Sequence, residues 1–129
     1  MNTIAAPRIR TMPIGLLWSA GAIALAGQAV VHVEQYFALF HDIRWIGPLF
    51  LANAAACALA IAGLTRSGTR DLAALAGVAT SACALAGLIV SYGQGLFGWQ
   101  EGGFRTPVEL VLIAEVGAIV FLAAGLAAE

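Results

Sequence analysis

Residues 107–128 read PVELVLIAEVGAIVFLAAGLAA, 22 consecutive positions with two charges, Glu109 and Glu115. A helix that crosses the hydrocarbon core of a bilayer needs roughly 20 mostly apolar residues. Three more runs of that kind precede it. Thr11–Val33 and Trp45–Thr65 carry no charge, and the stretch from Leu72 stays uncharged to Gln100. In the last of these, Gly93, Gly95 and Gly98 end the helix near Gln94. The pattern predicts one domain over residues 1–129 with spans at roughly 12–36, 45–65, 71–94 and 107–128. Connections of about 10, 5 and 11 residues leave adjacent helices no choice but to run antiparallel. The expected fold class is all-α: an integral membrane four-helix bundle, up-down-up-down.

Composition agrees. Of 129 residues, 61% are hydrophobic and 10% charged, with a mean hydropathy of +0.93. Soluble domains carry about 25% charge. Six arginines, no lysine and seven acids give a net charge of −1. Nucleic acid is therefore not an expected partner, because phosphate binding needs a basic face. High apolar content excludes disorder. Arg8 and Arg10 followed by a run to Ala24-Leu-Ala26 resemble a secretory leader with its cleavage site. The run continues without charge through Val31, longer than a leader needs, and the expectation is an uncleaved first span.

Arginine placement gives the orientation. Arg8, Arg10, Arg66 and Arg70 fall on the side that holds both termini, and Arg44 and Arg105 fall on the other. The expected location is a bacterial cell (cytoplasmic) membrane, with both termini cytoplasmic. Nine of eleven aromatic residues, Tyr36, Phe37, Phe40, Trp45, Phe50, Tyr92, Phe97, Trp99 and Phe104, gather at the outer end. An interfacial belt has two sides, so a one-sided excess points to a lid or docking surface made by the first and third loops. Small residues four apart, such as Gly77 with Ser81, Gly15 with Ser19, and Ala54, Ala58 and Ala62, let helix backbones approach in lipid. Cys57 and Cys83 lie in apolar runs without a CxxC pair and read as packing residues.

The residues that carry information are polar ones at membrane depth, where an ionisable group is a functional-site hypothesis by default. Glu115 is about nine residues into the fourth span, roughly 13 Å deep. A bare carboxylate there costs several kcal/mol, so it must be protonated, paired or hydrogen-bonded. Gln28, His32 and Tyr36 recur at i, i+4 and i+8 on the first helix, with Gln35 adjoining. Asn53 lies roughly 12 Å below Trp45, and Ser91, Tyr92 and Gln94 mark the outer end of the third span. The expected ligand-binding or proton site therefore comprises Glu115, His32, Gln28, Asn53 and Tyr36, with Glu115 facing inward and hydrogen-bonded to His32, Gln28 or Asn53. Glu109 reads as structural, because Thr106-Pro-Val-Glu109 has the pattern of a capping box.

No Walker loop, GxGxxG, nucleophile elbow or HExxH is present. No catalytic residue is assigned and an enzyme is not expected. The spacing of His32, Glu34, His41 and Asp42 fits no metal motif, and no motif implies a cofactor.

The segment from His32-Val-Glu-Gln-Tyr36 through His41-Asp-Ile-Arg44 to Ile46-Gly-Pro-Leu-Phe50-Leu-Ala-Asn53 resembles small four-span membrane proteins of actinobacteria-type genomes, and the resemblance implies architecture. In topology the chain is also similar to the DoxX-like group, some members of which are linked to quinone-coupled redox systems. Ala114-Glu115-Val116 is similar to a motif of the small multidrug resistance transporters, where it lies in the first span rather than the fourth. These readings lead to a non-catalytic small subunit or a lipid- or quinone-binding helper with a polar pocket in the outer half of the bilayer. Its expected partners are membrane lipids, a larger membrane complex or further copies of itself. The alternatives are a proton-coupled transporter using Glu115 and a redox-linked membrane component.

Overall fold

In the computed structural model, residues 11–129 are described; Arg8, Arg10 and most of the leader-like segment's basic start lie outside them. Four α-helices follow in order: α1 (Ile14–Gln35), α2 (Ile46–Leu64), α3 (Arg70–Tyr92) and α4 (Thr106–Ala128). They contain 22, 19, 23 and 23 residues, which at 1.5 Å per residue gives about 28–35 Å against a hydrocarbon core of about 30 Å. All four are long and apolar enough to cross a membrane. Each helix packs on the next in the chain and α4 closes back on α1. The protein is a multi-pass membrane four-helix bundle, and its short connections alternate the helix directions.

The four spans fall where the sequence puts them, with two differences at the aromatic end. The first span runs on past residue 36 as a π-helical segment, Tyr36–Phe40, so the first connection shrinks to residues 41–45. The extension is held by its own aromatics. Phe40 is 3% exposed, with its ring centroid 4.4 Å from Phe50 and 5.1 Å from Trp99. The fourth helix begins at Thr106, with Arg105 as an N-cap in extended conformation and no side-chain cap. The Glu109 amide bonds to the Arg105 carbonyl at 3.1 Å. The capping box expected of Thr106 and Glu109 is therefore not formed, because Thr106 already lies inside the helix.

Residues 93–105 form the long connection between α3 and α4. Leu96 and Trp99 exchange both backbone hydrogen bonds, at 2.7 and 2.9 Å, around Phe97 and Gly98, whose φ angles are +48° and +84°. A two-residue hairpin turn requires this left-handed pair, and Gly98 adopts it without steric cost. Tyr92 donates to the Gly103 carbonyl at 2.9 Å and stacks on Phe104. The Glu101 amide bonds to the Ser91 carbonyl at 2.9 Å.

Toward the other end the bundle is solid. Leu25, Cys57, Ala74, Ala118 and Leu122 are all fully buried there. Leu122 fills the space left by Gly21 on α1 and Gly77 on α3, and a Cβ on Gly125 would sit 2.6 Å from the Trp18 ring. Gly63 approaches Ala73 equally closely across the α2–α3 turn. Arg70 Nε caps α2 through the Leu64 carbonyl at 3.2 Å. The small-residue ladder expected on α2 is only partly used: Ala54 is packed, whereas Ala58 and Ala62 are exposed. The helix instead packs with Ala54, Cys57, Ala60 and Leu64, and a Cβ placed on Gly15 would meet nothing within 4 Å.

Candidate functional site

The bundle is apolar outside, and its interior holds polar side chains beside the apolar core. Ile23, Leu59, Leu72 and Ile113 are each more than 70% exposed, whereas Gln28, His32, Gln35, Ser81, Ser91, Glu101 and Glu115 are buried. In lipid this inversion is the favourable arrangement, because polar groups that cannot reach water must find partners within the bundle.

Three helices are tied together at mid-depth. Gln28 on α1 donates to Asn53 Oδ1 on α2 at 3.0 Å, and Ser81 Oγ on α3 donates to Gln28 Oε1 at 2.7 Å. Ser81 and Gln28 are both 0% exposed. His32, one turn above Gln28, places Nδ1 2.9 Å from the Gln28 carbonyl. A carbonyl only accepts, so Nδ1 carries the proton and Nε2 of the neutral ring is an acceptor. The His32 ring lies 4.8 Å from Phe50.

Glu115 faces the interior at 1% exposure, as expected, but not in the expected partnership. The side-chain bonds of Gln28 run to Asn53 and Ser81 and that of His32 to a carbonyl, and Glu115 Oε2 has no hydrogen-bond partner. The polar layer is already braced by α1, α2 and α3, and the acid on α4 is left over.

That acid lines a cavity of about 470 Å³, within the usual range of small-molecule sites. His32, Asn53 and Glu115 line its deeper part, and Phe40, Phe50 and Trp99 its upper part. At the aromatic end of the cavity, Arg105 grips Glu101 through two bonds of 3.1 Å and donates to Gln35 Oε1 on α1 at 3.0 Å. The Glu101 carboxylate holds the guanidinium above its ordinary value, so this latch stays charged on Arg105 at any physiological pH.

Of the expected site residues, Gln28, His32 and Asn53 form one bonded group, and Glu115 shares the cavity with His32 and Asn53. Tyr36 does not line the cavity; it packs on Phe37 and His41. Helical geometry explains this: i+7 returns to within about 20° of the starting face, whereas i+8 lies about 80° away. Gln35 therefore takes the inward position. The Glu101–Arg105–Gln35 latch was not anticipated, because it depends on the path of the 93–105 connection. Among the described residues, no three His, Cys, Asp or Glu side chains converge as a metal site. No family model, curated protein or solved structure matches the chain.

Proposed function

We propose that the protein is a non-catalytic membrane component that holds an amphipathic ligand of lipid or quinone type at the aromatic end of the bundle, serving as a small subunit or helper of a larger membrane assembly. One observation carries this reading: a cavity of about 470 Å³ lies among apolar helices and has a buried acid with an unpartnered oxygen in its lining. A site for water or an ion would be smaller and more polar, and a purely structural bundle would close on itself as the other end does.

Purified protein extracted with organic solvent should release an amphipath in stoichiometric amount. Ala84→Phe, which fills the cavity from α3, should abolish that release and leave the fold intact by circular dichroism. Equal release from both forms would sink the reading. In this reading the membrane is a bacterial cytoplasmic one and both termini are cytoplasmic, as the arginines at 66 and 70 and in the N-terminal tail suggest. A cysteine introduced at Gly68 is then modified only from the cytoplasmic side.

A second reading, proton-coupled transport, is favoured by the same unpartnered Glu115 oxygen. It requires proton flux into vesicles that Glu115→Gln eliminates.

A further inference from the structure

The cavity does not sit evenly among the four helices. The seam between α1 and α4 is filled along residues 18–27 of α1 and 114–125 of α4: Gly27 meets Ala114, Gly117 meets Ala24, Gly21 meets Leu122 and Gly125 meets Trp18. Between α2 and α3 the close glycine contact is Gly63 with Ala73, at the turn that joins them. Toward the aromatic end the cavity reaches between these two helices, lined there by Ala52 and Ala56 of α2 and by Ala79, Cys83 and Gly87 of α3. Ala52, Ala79 and Cys83 both line the cavity and are exposed. Residues with those two properties form the rim of an opening, and this one faces lipid at a depth where small side chains leave it unblocked.

The chemistry at the floor is equally specific. Glu115 Oε2 has no partner, and the ring nitrogen left free on His32 is an acceptor. The one guanidinium lining the cavity, Arg105, has three of its five N–H donors on Glu101 and Gln35, and Glu101 already balances its charge, so it offers no net positive charge to a phosphate or carboxylate head. An ammonium head would require two charges to be desolvated together. A hydroxyl and a carboxylic acid can instead each donate and accept, which leaves no charge buried.

We infer that the opening between α2 and α3 admits, sideways from the bilayer, a lipid alcohol or phenol whose hydroxyl bonds to Glu115 at the cavity floor while its tail leaves between Ala52 and Ala79. The inference rests on the ligand-holding reading above and names its ligand class and route of access.

The test uses the full chain in lipid nanodiscs with three photoreactive probes, a long-chain alcohol and the matched amine and carboxylic acid, each with a diazirine in the tail. The alcohol should crosslink to α2 and α3 at the rim, around Ala52, Ala79 and Cys83, and an excess of unlabelled long-chain alcohol should suppress it. Crosslinking at lipid-facing Leu59 should not respond to the competitor. Glu115→Leu should cut the competable signal about tenfold, the worth of one hydrogen bond. Glu115→Gln, which still accepts and donates, should retain it. Ala79→Trp, at an exposed position, should block the opening without disturbing the core.

Competable rim labelling by the amine or the acid instead of the alcohol overturns the ligand class. Competable labelling confined to the 93–105 connection, or labelling insensitive to Ala79→Trp, overturns the lateral route. In each of those outcomes the cavity is still a binding site. If no probe gives competable labelling while the extraction experiment still finds a bound amphipath, this inference alone fails; if both are negative, the ligand-holding reading fails with it.

Discussion

The two ends of this bundle solve the same packing problem differently. At the arginine end, glycines on three helices bring backbones close enough for Leu122 and Trp18 to fill the space between them. At the aromatic end the same helices separate around a cavity of about 470 Å³, and polar side chains and a ring cluster span the gap. In a membrane no hydrophobic effect drives helices together; association depends on close contact and on interhelical hydrogen bonds. The closed end relies on contact. The open end relies on the Gln28–Asn53–Ser81 brace and on the Arg105 latch. Close packing belongs to one end, and the cavity belongs to the other.

The contrast can be broken most directly at Leu122. Leu122→Ala should cost about 2–5 kcal/mol, the usual range for a fully buried leucine, read as a lowered midpoint of unfolding in mixed detergent. A loss below about 1 kcal/mol would mean that the arginine end is not the rigid half. Ser81→Ala comes next. It leaves Gln28 Oε1 without its donor, and a membrane hydrogen bond of this kind is worth about 0.6–1.7 kcal/mol. Hydrogen exchange at α3 near Ser81 should rise while the Leu122 region stays protected; a uniform rise would show that the two ends unfold as one. The smallest effect belongs to the α4 start. Because the capping box is absent, Thr106→Ala and Glu109→Gln should each change stability by less than about 0.5 kcal/mol. A cost near 1 kcal/mol for Thr106→Ala, typical of a lost N-cap, would show that the hydroxyl does cap the helix in the bilayer.

The spans were legible because a charge-free run of twenty residues has few other fates, and the inward face of Glu115 followed from the cost of a carboxylate in lipid. What escaped the sequence depended on tertiary contacts. The choice between Thr106 and Arg105 as N-cap turns on the Arg105 side chain being drawn toward Glu101 and Gln35, and local pattern is silent about that. The π-helical end of the first span needs Phe50 and Trp99 to receive Phe40, two rings brought from other parts of the chain. Gln35 in place of Tyr36 was within reach, since the angular arithmetic alone favours i+7 over i+8 on a common face. The missing bond at Glu115 had no signal, because Gln28 had several acceptors to choose from and the one it took lies on α2.

The Tyr36–Phe40 segment also makes chain length act as an angular setting. Each residue of an α-helix turns the chain by about 100°, and a π-helical turn absorbs one extra residue without breaking the helix. Removing a single residue there would let the end of the first span rewind as ordinary α-helix with Phe40 near its present direction, whereas adding one more would turn that end by about 100°. With the added residue, Phe40 would swing away from Phe50 and Trp99, and the ceiling of the cavity would open with no change in the chemistry of any residue that forms it. Lineages that gain one residue at this point would therefore differ in access to the cavity while keeping its floor intact.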